Sequence, residues 1–180
     1  MNYKELALAL IPPFSGKADR NTEYEYLFRA QHDGGRRMEQ LIVHCSGTRE
    51  DHSYTLEQLI NDHQRRGFSQ VGYHFYIRRG GQIYATRPLR LSGAHCLGHN
   101  AHSIGICYEG GLDMDGRAKD TRTKRQRDRL RRAVALLVRR YPHMQVVGHR
   151  DLSPDQNGDG RVSPNEWLKM CPCFDVQTEL

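Results

Sequence analysis

Leu41-Ile42-Val43-His44-Cys45, closed by Ser46-Gly47-Thr48, is the stretch on which the fold reading turns. A short apolar run with β-branched residues, ended by small turn formers, reads as a buried strand with His44 near its end. The next signal is helical. Thr55 and Gln58 have capping-box spacing, Leu56, Leu59, Ile60 and His63 recur at i, i+3, i+4 and i+7, and Gly67 stops the run, so 55–66 is predicted as a helix. Residues 73–78 and 82–86 read as two strands joined around Gly80-Gly81, and 103–109 as a third closed by Gly110-Gly111. The longest helix is predicted over 124–141, with Leu130, Val134, Leu137, Val138 and Tyr141 as its apolar stripe and Pro142 as its stop. A final strand, 145–148, runs into His149. Strands interleaved with two amphipathic helices predict an α/β fold, a mixed central β-sheet flanked by helices in a single domain.

A chain of 180 residues, 37% apolar, suits one packed core rather than two domains. No run approaches the ~18 apolar residues of a membrane-spanning helix, and mean hydropathy is −0.77. The segment Leu6–Phe14 (LALALIPPF) is apolar, but Glu5 precedes it and no small-residue cleavage site follows, so no cleaved secretory signal is expected. Residues 1–38 are weakly patterned and read as an N-terminal extension, with the domain over 39–180. No repeat or low-complexity tract is present, and collagen-like, coiled-coil and mucin-like classes are excluded.

The net charge of +6 is localised. Residues 117–140 hold eleven Lys or Arg against Asp120 and Asp128, so the remainder of the chain is net negative. Such a helix face is ordinarily solvated, and it also suits an anionic polymer. Without interleaved aromatics or a base-reading motif, nucleic acid is not the expected partner.

Five cysteines are too few and odd in number for a small disulfide scaffold. Cys45, Cys96 and Cys107 read as buried free thiols, whereas Cys171 and Cys173, flanking Pro172, are candidates for chemistry. His44 near the end of the first strand, His149 after the last and Cys171 further on offer two imidazoles and a thiolate. That set suits Zn²⁺ at one edge of the sheet with a fourth position open. Cys173 is the alternative thiol.

Several separate motifs occur in a telling order: VHCSGT at 43–48, GYHFYIRRGGQI at 72–83, HNAHSIGICYEGG at 99–111, VGHRD at 147–151 and KMCPCFDV at 169–176. Together they resemble the type-2 N-acetylmuramoyl-L-alanine amidases, the superfamily of phage lysozyme-type amidases and peptidoglycan recognition proteins, over roughly residues 40–176. The resemblance implies that His44, His149 and Cys171 are zinc ligands, that Tyr73 and Lys169 assist catalysis, and that His95 is a substrate-side histidine. By strand alternation His74 points away from Tyr73, so one of the two is packed away, and Tyr73 is taken as the reactive one.

The implied reaction is hydrolysis of the amide between N-acetylmuramic acid and L-alanine in bacterial peptidoglycan, the partners being the muramic acid and the stem peptide, with a monomer expected. Some relatives bind peptidoglycan without cutting it, so a binding module is the alternative, and a partner- or nucleic-acid-binding role for the Arg-rich helix is a third. Retention of all three ligands with Tyr73 and Lys169 favours the enzyme. A wall substrate without an export signal suggests endolysin-like release from the cytoplasm or another secretion route.

One departure from the compact phage pattern is an insertion, Leu152–Trp167, between the second histidine and the cysteine. Within it, 155–166 fits D-x-[DN]-x-[DN]-G-x5-E, the calcium loop of EF-hands. Asp155, Asn157, Asp159, the Arg161 carbonyl and a bidentate Glu166 would be the ligands, so Ca²⁺ is expected as a second ion.

Overall fold

β1 (Gln40–Cys45) lies between two parallel neighbours, β5 (Ser103–Tyr108) and β7 (Gln145–Gly148), in a computed structural model that describes Phe28 and residues 31–180. β3 (Phe75–Ile77) pairs in parallel with β5, and β4 (Ile83–Ala85) returns antiparallel to β3. The five-stranded order is β4-β3-β5-β1-β7; β2 (Thr48–Arg49) and β6 (Gly111–Leu112) form a separate two-stranded pair. The expected mixed sheet flanked by helices is the observed architecture.

Helix α1 (Leu56–Arg65) begins in the capping box read from sequence: Thr55 Oγ1 accepts from Gln58 N, and Gln58 Oε1 accepts from Thr55 N. Helix α2 (Lys124–Arg140) repeats the device with Thr123 and Gln126. A short helix, α3 (Val176–Glu179), and the β2–β6 pair were not foreseen; both are too short to leave a periodic signal.

The sheet separates two cores. Leu130, Ala133, Val134 and Leu137 of α2 pack with Leu41, Val43, Phe75, Ile77, Ile104 and Ile106 on one face. Leu56, Leu59 and Ile60 of α1 pack with Val71, Tyr76 and Cys107 on the other. Side chains alternate along β1, so His44 leaves the sheet on the side opposite Val43 and Cys45, toward α1. The cationic helix therefore covers the opposite face. One of its neighbouring cations is not solvated at all: Arg122 is buried, pairs with Asp120 (2.8 Å) and Glu179 (2.6 Å), and lies 3.1 Å above the Phe174 ring.

Residues 1–27, 29 and 30 of the proposed extension lie outside the described residues. Residues 31–38 pack against the domain, with Gln31 and Met38 buried. Arg36 is the clip. Its guanidinium donates to the carbonyls of Leu89 (2.6 Å), Leu91 (2.8 Å), Asn100, Ala101 and Ser103 (each 3.0 Å), lacing together the irregular segment before β5. Removing it takes a charged donor from five carbonyls, of which Leu91 O keeps His74 Nε2 (3.0 Å) and Asn100 O keeps Gly93 N (3.3 Å). Arg36→Ala is expected to cost about 3 kcal/mol or more, roughly a 6–12 °C fall in melting temperature for a chain of this size. A fall under 2 °C in differential scanning calorimetry would show that the clip carries no stability.

Candidate metal centre and the groups around it

Register brings the first two donors together. Val43 is paired with Gly148, so the residues that follow, His44 and His149, emerge at the same level of two adjacent parallel strands, with ring centroids 4.6 Å apart. The third donor arrives from the chain's end: Arg150 N donates to Cys171 O (2.8 Å), and the Arg150 guanidinium lies 3.9 Å above the Trp167 ring, fastening the 153–171 segment beside β7. Cys171 Sγ is then 3.8 Å from His44 Nδ1 and accepts from Cys45 N (3.2 Å).

His44, His149 and Cys171 place one donor atom each within 4.8 Å of one another, and among the described residues no other group of three His, Cys, Asp or Glu does so. Burial holds His44 well below its ordinary pKa, with His95, His149 and Lys169 pushing the same way; burial, then Lys169, lowers His149 to about 4. Both imidazoles are thus neutral at physiological pH, the form that binds metal. Cys173, the alternative thiol, faces elsewhere, donating to Gly111 O (3.3 Å) and lying 3.8 Å from Cys45 Sγ.

Tyr73 precedes β3 and stands beside the centre, its ring 5.1 Å from that of His44. Burial raises its phenol pKa well above the ordinary value, so it retains its proton. Its neighbour His74 is fully buried, accepting from Gly105 N at Nδ1 (3.0 Å) and donating from Nε2 to Leu91 O (3.0 Å), which leaves it no free nitrogen. Lys169 is exposed, and its charge is felt by both His44 and His149. His95 lies behind His44, with Nδ1 3.0 Å from His44 Nε2.

A cavity of about 370 Å³ opens beside Tyr73, lined by Ser46, Tyr54 and Asp62, His63, Arg65 and Arg66 of the α1 region, among others. The sequence analysis gave these polar residues no part in the site, reading His63 only as a member of the helix stripe; the packing of α1 beside Tyr73 brings them there.

The calcium expectation gains no support. The loop's side-chain oxygens accept from its own backbone. Asp155 accepts from Gly158 N (2.7 Å) and Gly160 N (2.8 Å), Asn157 from Asp159 N (2.9 Å), and Asp159 from Arg161 N (2.8 Å). Glu166 turns inward, buried, and accepts from the amides of Gln156, Asn157 and Ser163. Asp155, Asp159 and Glu166 do not gather as the histidines and Cys171 do.

The family model described as N-acetylmuramoyl-L-alanine amidase matches residues 34–166. The chain belongs to this amidase family. Among its relatives, the endolysin of Klebsiella phage KP32 is 32% identical over 138 residues, covering 77% of this chain and 82% of the endolysin. An uncharacterized protein of Haemophilus influenzae is 45% identical over 96 residues, 53% of this chain and 83% of that protein. In fold, the amidase is similar to the endolysin LysCS of Clostridium intestinale (TM-score 0.60, 24% identity, 79% and 80% of the two chains). It is also similar to Drosophila PGRP-LB (TM-score 0.57, 23% identity, 79% and 78%). Cys171 and Lys169 fall beyond the residues the family model matches, so their placement beside His44 comes from the tertiary structure.

The histidines also set how the amidase responds to acid. Burial lowers His63 to about 4, assisted by Arg66 and opposed by Asp62, and lowers His74 to about 3. Unfolded, both take up protons near pH 6.5; folded, they do not until far lower. Between those limits the unfolded state binds more protons, so stability is full above about pH 6.5 and is lost as pH falls toward 4 and below. The melting temperature of metal-free protein should fall through that window. A flat profile from pH 7 to 4 would contradict it.

Proposed function

We propose that this protein is a zinc-dependent amidase that hydrolyses the bond between the lactyl group of N-acetylmuramic acid and the L-alanine of the peptidoglycan stem peptide. The observation that carries the reading is the convergence of His44, His149 and Cys171, with Tyr73 and the charge of Lys169 beside them. Two neutral imidazoles and a thiol are donors that zinc favours. Bound there, zinc supplies Lewis-acid polarisation and hydroxide at neutral pH.

The chain's own groups handle the charge that follows. As water adds to the amide carbon, negative charge grows on the carbonyl oxygen, and a cation and a fixed hydroxyl donor facing it lower the barrier. Lys169 supplies the cation. Tyr73, kept protonated by its burial, supplies the hydroxyl. When the carbon–nitrogen bond breaks, a lactyl carboxylate and the free amino group of L-alanine result. The cavity beside Tyr73 offers room for the stem peptide. Residues 39–180 form the hydrolytic unit, with residues 31–38 fastened to it through Arg36. The cell wall is the place of action, as the endolysin relatives suggest. No helix among the described residues is long and apolar enough to cross a membrane.

The test is purified peptidoglycan incubated with the protein and read by mass spectrometry. Free stem peptides beginning with L-alanine, lost on zinc chelation and restored by zinc, are expected. Intact linkages with zinc bound would make the protein a recognition module.

A further inference from the structure

His95 is held in a slot made by two missing side chains. A Cβ added at Gly105 would lie 2.5 Å from the His95 ring, and one added at Gly93 would lie 2.4 Å from it. Gly105 sits on β5 directly across from Ile42 of β1, on the sheet face to which His44 projects, so its bare backbone lets an imidazole lie flat against the sheet. The backbone before the ring is pinned as well, since Asn100 Oδ1 accepts from both His95 N (2.8 Å) and Cys96 N (3.0 Å).

The slot aims the ring. His95 Nδ1 is 3.0 Å from His44 Nε2, and His95 Nε2 is 3.5 Å from Ser103 Oγ. On its other side His44 presents Nδ1 to Cys171 Sγ, 3.8 Å away. A histidine that ligates through Nδ1 must carry its proton on Nε2, and that proton needs an acceptor to fix the tautomer and the ring plane. His95 Nδ1 stands where that acceptor is required. With its own proton on Nε2, directed at Ser103, His95 has both nitrogens engaged within the protein. A substrate contact would need one of them free.

We infer that His95 is a positioning residue of the metal centre: it accepts the Nε2 proton of His44 and holds the His44 Nδ1 lone pair toward the ion shared with His149 and Cys171. The inference rests on the zinc reading above and gives His95 a different task from the substrate contact that the sequence resemblance implied.

Two isosteres separate the roles. In His95→Asn the amide oxygen occupies the place of Nδ1, whereas in His95→Gln the amide nitrogen occupies the place of Nε2 and a methylene replaces the acceptor. Zinc affinity, from competition with a chromophoric chelator, is expected to weaken about 10–100-fold in His95→Gln and to stay within a few-fold of wild type in His95→Asn. The visible spectrum of the cobalt-substituted protein should shift in the first variant only. Gly105→Ala, which keeps the imidazole but crowds it, should weaken zinc in the same direction. Melting of the metal-free variants separates loss of folding from loss of metal, and Gly105→Ala carries the test if His95→Gln does not fold. Unchanged zinc affinity in His95→Gln with a raised KM would overturn the inference and restore the substrate contact. A wild-type protein that binds no zinc would overturn the zinc reading itself, and this inference with it.

Discussion

Cys171→Ser is expected to strip the protein of stoichiometric zinc and to lower stem-peptide release by about 10³-fold or more, because the ion supplies several kcal/mol of charge stabilisation and each ~1.4 kcal/mol is tenfold in rate. The thiol is the one soft donor of the three, and a serine hydroxyl does not ionise to replace it. It is also held in place, since Cys45 N donates to its sulfur (3.2 Å). Cys173→Ser is the internal control. Its sulfur interacts with Gly111 O and Cys45 Sγ, away from the histidines, so that variant should keep its zinc and its activity. Zinc content by mass spectrometry and initial rates decide the matter, and the assignment fails if the two serine variants behave in the opposite order.

Tyr73→Phe and Lys169→Met should each lower kcat by about 10²–10³-fold, the effect of deleting one donor to a developing oxyanion, while leaving zinc content unchanged. The tyrosine variant isolates the hydroxyl, because the ring keeps its packing against His44 (5.1 Å) and His63 (5.5 Å). The lysine variant isolates the charge at an exposed position, so folding is not at stake. If both groups face the same oxygen, the double variant should lose less than the product of the two single losses. Activity within threefold of wild type in either single variant would remove that residue from the mechanism.

Much of the fold was readable from local pattern. The Thr55–Gln58 capping box spans four residues, and the contacts it encodes are complete within that span; the equally local box of Thr123 with Gln126 emerged only in the structure. The stripe of α2 likewise declares a period and hence a buried face, and the short runs of β1, β5 and β7 declare themselves by apolar composition and the residues that close them. The β2–β6 pair and α3 escaped because two or four residues do not make a period. The EF-hand-like spacing at 155–166 is equally local, and in the folded chain its side-chain oxygens accept from the loop's own amides.

The donor inventory of the centre, His44, His149 and a cysteine near the end, was present in the order of residues along the chain. The choice between Cys171 and Cys173 was not. It depends on the segment's path around Pro172, with Cys173 at φ 68° and its sulfur turned toward Cys45 rather than the histidines. Nor could sequence place His95 behind His44, 51 positions away, or send Arg36 to carbonyls as many as 67 positions on. Caps and periodicity are settled between neighbours within one or two turns, so sequence specifies them directly. A hydrogen bond between distant residues exists only once strand register and the open space over Gly105 have brought them together, and that is decided by packing of the whole domain.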